Sequence, residues 1–174
     1  MPSSPLTSKS SNGLIVVGLD PGLANLGLGA VQEVGRDAVY VDSKLVRTSS
    51  KDKQADRLET LYNETLTFLR THKPAALALE EQYFQQRGDI GFKVGQAVGV
   101  CLLAAKHQNI PVVTYGPMQV KQTLVGSGRA SKAQIGYMVR ALLNLKQIPE
   151  SHHVADALAL ALTHLSSRRL GALG

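Results

Sequence analysis

Leu14 to Leu19 is an apolar run interrupted only by Gly18, and it ends on Asp20. Pro21-Gly22 supplies a turn, and a second apolar run with glycines follows from Leu26 to Val31. Runs of this length bounded by turn residues predict a β-hairpin over residues 14–20 and 26–32, with Asp20 at the end of a buried strand. A third strand is predicted near 38–46, around Val39, Val41, Leu45 and Val46. Leu58, Leu61, Tyr62, Thr65, Phe68 and Leu69 recur at helical spacing until Pro74 stops the helix. Ala76 to Leu79 reads as a buried strand leading into Glu80-Glu81, and residues 82–90 as a loop or the ragged start of a helix. Val94, Ala97, Val98, Cys101, Leu102 and Ala105 predict a second helix, and Pro111 to Tyr115 a fifth strand. Ser131-Lys132-Ala133-Gln134 is a capping box ahead of Ile135, Met138, Val139 and Leu142, and a last helix is predicted from about Ser151 to Leu165. Three strands followed by alternating helices and strands predict an α/β domain: a five-stranded mixed sheet flanked by helices.

Within the second helix, Gly91, Gly95 and Gly99 recur every four residues. Such a stripe lets another backbone approach closely. Packing against the sheet or core and a subunit interface are both compatible with it.

A chain of 174 residues that is 44% hydrophobic can bury one proper core, which excludes a disordered protein. No apolar run approaches the ~20 residues needed to span a bilayer, so no membrane partner is expected. Residues 1–12, rich in Ser and without an apolar signal core, are expected to form a disordered tail. The domain is then expected over 13–167, with a short tail at 168–174. Cys101 is the only cysteine and sits in the apolar helical pattern, so it reads as a core residue. With no intrachain disulfide possible, a reducing cytoplasm fits. Nineteen Lys and Arg against 13 Asp and Glu leave a net charge of +6, which favours a polyanionic partner without establishing one. Aromatics are 5% with no Trp, so a stacking platform of several rings is not expected, though one or two stacking residues are compatible.

Candidate chemistry sits where elements end: Asp20, Glu80/Glu81 and His152/His153/Asp156. Adjacent strand ends of an α/β sheet converge on one point, and a helix packed across them adds a third contribution. A buried carboxylate needs a cationic partner, and a carboxylate-rich cluster suits Mg²⁺ or Mn²⁺. The cysteine and histidine pattern does not resemble a structural zinc site. Each piece alone has a plainer reading, as a turn aspartate, strand-end surface charges or a solvated helix-start histidine. Glu80 and Glu81 point to opposite faces of a strand, so only one joins Asp20. His152 and His153 precede Asp156 by four and three residues, and both spacings share its helix face.

Five stretches carry a resemblance: Gly18-Leu19-Asp20-Pro21-Gly22, Leu79-Glu80-Glu81-Gln82-Tyr83-Phe84, Val94-Gly95-Gln96-Ala97-Val98-Gly99, Gly116-Pro117-Met118-Gln119-Val120-Lys121-Gln122, and His153-Val154-Ala155-Asp156-Ala157-Leu158-Ala159. In this order, over roughly residues 14–165, they resemble the RuvC family of Holliday-junction resolvases within the RNase H-like superfamily. The resemblance implies an RNase H-like fold and a site of Asp20, Glu80, His153 and Asp156, these being both catalytic and metal-binding. Many members carry a carboxylate where this chain has His153, so its cluster is less negative and more sensitive to imidazole protonation. Also implied are a homodimer, four-way junction DNA as substrate, and paired symmetric nicks in recombination and repair that leave 5′-phosphate and 3′-hydroxyl ends. Two Mg²⁺ or Mn²⁺ ions about 3.5–4 Å apart suit that reaction, with Asp20 bridging them. A RuvA–RuvB-type branch-migration complex is the implied partner, and a bacterial, nucleoid-associated cytoplasmic location follows.

Lys121 and Lys132 fall in stretches similar to family positions implicated in catalysis or DNA contact. Arg129, beside Gly126 and Gly128, lies on a basic loop suited to phosphate contact. Tyr83, Phe84 and Arg87 complete the expected DNA contacts. An aromatic near Glu80 resembles the family's residue that stacks on an unpaired base, and Phe84, fully apolar, is the favoured one.

Three rivals are weighed against this reading. Actin-like ATPases and sugar kinases open on a similar Gly-x-Asp-x-Gly hairpin, but they need two such domains and a longer chain. An RNA–DNA hybrid hydrolase shares the fold and lacks the Gly-Pro-Met-Gln-Val-Lys stretch and the His-x-x-Asp helix. A non-catalytic junction-binding protein is disfavoured because every ligand position has an occupant able to serve.

Overall fold

A computed structural model describes residues 13–81, 88–149 and 151–171. It contains β1 (Ile15–Asp20), β2 (Asn25–Val34), β3 (Asp37–Arg47), α1 (Gln54–His72), β4 (Ala76–Glu80), α2 (Gly88–His107), β5 (Val112–Tyr115), α3 (Pro117–Val125), α4 (Lys132–Leu142) and α5 (His152–Gly171). The strands form one mixed sheet in the order β3-β2-β1-β4-β5. β2 is antiparallel to both β1 and β3, while β1, β4 and β5 run parallel. The expected mixed sheet flanked by helices is the observed architecture.

Strand alternation divides the core into two halves. Val17, Leu19, Leu77 and Leu79 face α1 and α2, packing with Leu61, Phe68, Leu69, Val98 and Cys101. Val16, Val31 and Ala78 face the other way, against α3, α4 and α5. Cys101 is a core residue as expected, and burial pushes its thiol up to about 11, far from thiolate reactivity.

α5 is the central helix of that second layer, buried along most of its length from Val154 to Leu165. It reaches the sheet because β1 and β2 present glycines beneath it. A Cβ added at Gly18 would stand 1.7 Å from the Ala157 carbonyl oxygen, and one at Gly27 would stand 2.0 Å from that of His153. The helix backbone therefore rests on the strand backbone with no side chain between.

Two expectations differ from the structure. α5 runs beyond Leu165 to Gly171, so the expected tail at 168–174 is helical as far as the described residues reach. Arg169 fastens that end, donating to Glu33 at 2.8 Å and to the carbonyls of Arg36 and Asp37 at 2.6 and 2.9 Å. α3 was not anticipated, since its nine residues bury only Val120 and Leu124; Gly116 precedes it and Pro117 opens it. Of the two readings left open for the glycine stripe, packing on the sheet or core does not hold for Gly95 and Gly99, since among the described residues nothing lies within 4 Å of a Cβ added at either. The capping box opens α4 as expected, with Ser131 and Gln134 bonding reciprocally. Among the described residues, no helix is long and apolar enough to cross a membrane.

Candidate active site

β1 and β4 are in register, Leu19 against Leu79, so Asp20 and Glu80 end adjacent parallel strands side by side. Asp20 follows the face of Val16 and Gly18, and Glu80 that of Ala78, so both side chains turn toward α5. Glu81 takes the opposite parity and is exposed. The fold thereby settles the choice that strand alternation had left open.

α5 begins directly across these strand ends. Asp20, Glu80, His152, His153, Asp156, Lys121 and Lys132 all line one cavity of about 440 Å³, closed underneath by Val120, Ile135, Ala159 and Leu160. Asp20 is nearly fully buried at 4% exposure. His153 Nδ1 donates to its Oδ2 at 2.6 Å. His152 lines the cavity too but is exposed, so the two histidines that spacing could not separate differ by this contact with Asp20. Lys132 Nζ stands 3.9 Å from Asp156 Oδ2 at the cavity's rim.

Burial, then the nearby Asp20 charge, hold the Asp156 carboxyl above its ordinary value, and Lys132 and the histidines only partly offset them. The hydrogen bond to Asp20 raises the His153 imidazole, against the opposing effect of burial. The Asp20 charge thus disfavours the charged form of Asp156. A bound cation relieves such crowding. Three carboxylates and an imidazole are also the donor chemistry that a hard divalent ion takes. No three of them are gathered into a ready metal site among the described residues, where His153 is hydrogen-bonded to Asp20.

Two residues outside the sequence-derived set support the turn after Asp20. Thr48 Oγ1 donates to the Leu23 carbonyl at 2.5 Å and accepts from Arg57 Nε at 2.9 Å, while its backbone N–H donates to Ala24 at 3.0 Å. Arg57 is buried, an unusual setting for a guanidinium on a helix. Its position between helical apolar residues was the available signal, and without β3 in place it has no visible purpose. The glycines under α5 were legible as glycines and not as a helix seat.

Of the expected DNA contacts, Lys121 and Lys132 are in the cavity. Arg129 is exposed between α3 and α4 and does not line it. Tyr83, Phe84 and Arg87 lie outside the described residues.

Comparison with known proteins gives the same picture from another direction. The family model described as "Crossover junction endodeoxyribonuclease RuvC" matches residues 16–164. A curated protein of that description from Thermus thermophilus is 42% identical over 161 residues, covering 91% of this chain and 97% of the relative. The solved structure of T. thermophilus RuvC in complex with Holliday junction substrate superposes with a TM-score of 0.86 at 42% identity, over 91% of this chain and 96% of that one. A yeast mitochondrial Holliday junction resolvase shares the fold, at a TM-score of 0.61 and 14% identity, over 93% and 83% of the two chains. The match extends from the strand that carries Asp20 to the helix that carries His153 and Asp156, and on it the chain belongs to the RuvC family of crossover junction endodeoxyribonucleases.

Proposed function

We propose that the protein resolves four-way DNA junctions as a homodimer, each protomer hydrolysing one phosphodiester with divalent metal held by Asp20, Glu80, His153 and Asp156. The observation that carries this reading is the convergence of those four donors, with Lys121 and Lys132, on one cavity at the ends of parallel strands. Mg²⁺ or Mn²⁺, two ions per site, would lower the pKa of the attacking water and take up charge on the leaving oxygen. The chain's own residues do the rest. Asp20 and Glu80 hold the anionic floor, and His153 releases Asp20 when its imidazole turns to a ligand role. Lys121 and Lys132 present ammonium groups to the non-bridging oxygens of the scissile phosphate. Water adds to phosphorus and the 3′ oxygen leaves, giving a 5′-phosphate and a 3′-hydroxyl.

Symmetric nicks require two sites, and α2 offers a surface for a second copy. Phe92 and Leu103 are 69% and 48% exposed on the face where Gly95 and Gly99 leave open space. Arg129, Tyr83, Phe84 and Arg87 are assigned to junction contact on the family resemblance, as is coupling to a RuvA–RuvB-type complex.

The test offers the protein a synthetic four-way junction, a linear duplex and an RNA–DNA hybrid, each with Mg²⁺, Mn²⁺ or chelator. Paired, metal-dependent nicks confined to the junction are expected; cutting of the hybrid would instead make it a hybrid hydrolase. Asp20→Asn should keep junction binding and lose cutting. Nicking at the wild-type rate by that variant would overturn the metal assignment.

A further inference from the structure

A second cavity opens on the far side of His152 and His153, which line it as they line the first. It measures about 650 Å³ and is walled by β3, the start of β2 and the start of α5, with Arg47 in its wall. Ser43 and Pro149 belong both to it and to a third cavity of about 460 Å³, whose walls include Tyr40 and Lys146. Neighbouring cavities share wall residues, so the three lie in a row, a trough in outline, from the catalytic cavity out between β3 and the α4–α5 connection.

The chain builds this trough by strand parity. On β3, Asp42, Lys44 and Val46 face α1, where Asp42 meets His72, Lys44 meets Glu64 and Val46 joins the core. Ser43, Leu45 and Arg47 therefore face the trough. A register shift against Ala30/Val31 inserts Val41 as an extra residue and brings Tyr40 onto the same face, its hydroxyl 3.0 Å from that of Ser43. Arg47 lies four residues along the strand from Ser43, roughly 13 Å. Beyond the catalytic cavity the trough mixes apolar walls, among them Leu45, Leu145 and Leu158, with the cations Arg47 and Lys146. Arg47 and Lys146 are both exposed, neither is ion-paired with a described residue, and no carboxylate is among its described lining residues.

We propose that this trough binds the sugar–phosphate backbone of the cleaved strand on one side of the cut, with Arg47 and Lys146 each neutralising a phosphate. Fixed cations spaced along a groove that opens onto the scissile position suit a chain of phosphodiesters and make no demand on base sequence. The contact would anchor one flank of the cleaved strand while the catalytic cavity acts on the bond at its end. The inference rests on the junction-cutting reading above.

The test is equilibrium binding of a four-way junction to the whole protein in chelator, across a salt series. With one trough in each protomer of the dimer, Arg47→Ala and Lys146→Ala should each lower the slope of log K against log salt by about 1.8, and the double variant by about 3.6. Arg47→Lys should restore the slope, and Arg70→Ala, on α1 across the sheet, should leave it unchanged. Neutral methylphosphonate linkages placed on one side of the cut should weaken wild-type binding, and should not weaken the double variant's further. A wild-type slope in the double variant, or equal losses from neutral linkages on both sides, would overturn the trough and leave the catalytic reading standing. Failure of the wild-type protein to bind the junction would overturn both.

Discussion

Gly27→Ala tests how the site is assembled. Gly27 is on β2, paired to Asp20 on one side and Leu45 on the other, so it lies inside the sheet and cannot move aside. Its added Cβ would stand 2.0 Å from the His153 carbonyl oxygen and 2.3 Å from the carbonyl carbon, whereas Cβ atoms keep at least 3.0 Å from such neighbours, so the start of α5 must retreat by about 1 Å. His153 moves with that turn, and Asp156 lies one turn further on. Misplacing catalytic groups by about 1 Å lowers rates by roughly 100-fold. Overpacking should also cost about 1–3 kcal/mol of stability, or about 2–4 °C in Tm for each kcal/mol at this chain length. The assay is single-turnover cleavage of a junction at saturating protein and Mg²⁺, alongside junction binding in chelator and a thermal melt. Cleavage should fall by about two orders of magnitude with binding nearly retained. Cleavage near the wild-type rate in a folded Gly27→Ala protein would refute the idea that direct backbone contact sets the position of α5.

Asp156→Asn should raise the Tm of the metal-free protein near neutral pH while abolishing most cleavage. The Asp156 carboxyl is held above its ordinary 3.8, so its ionised form penalises the fold once pH exceeds the raised value, and the Tm gain should vanish below about 3.8. No gain at pH 7 by calorimetry would contradict the crowding described for the site. His153 works in the opposite sense: its folded value lies above 6.5, so the pair with Asp20 stabilises fully below 6.5 and less as pH rises through the raised value. In chelator, the Tm deficit of His153→Ala should therefore be largest near pH 6 and shrink above it, and a constant deficit would count against the pair. Mg²⁺ half-saturation, read by thermal shift, should fall over the same range as the imidazole loses its proton. Gly99→Ala fills open space on α2 and improves helix propensity by about 0.5–1 kcal/mol. If this face meets a second copy, it should still weaken the dimer by about tenfold, about 1.4 kcal/mol. An unchanged dissociation constant in sedimentation would place the subunit contact elsewhere.

Most of the fold is written in local patterns. The hairpin around Pro21-Gly22, the helix ended by Pro74 and the capping box at Ser131 each follow from short-range chemistry, because strand alternation, caps and turns depend on neighbours along the chain. α3 escaped this reading because a nine-residue helix with two buried positions has almost no periodicity to detect. The end of α5 escaped it because Arg169 bonds to Glu33 and to the backbone of Arg36 and Asp37, contacts across the molecule that no local pattern records.

The candidate site divides along the same line. Its residue types and their placement at element ends were plain in the chain, and resemblance selected Glu80 and His153 from their neighbours. Their convergence has another origin. Parallel register sets Asp20 beside Glu80, and backbone contact over Gly18 and Gly27 lays α5 across them. The trough of Arg47 and Lys146 exists only where β3 faces the α4–α5 connection. Propensity and alternation act over a few residues and so can be read in order along the chain. Register between distant strands and the seat of a helix on a sheet are set by non-local packing, and these brought a buried carboxylate, a histidine and their partners to one point.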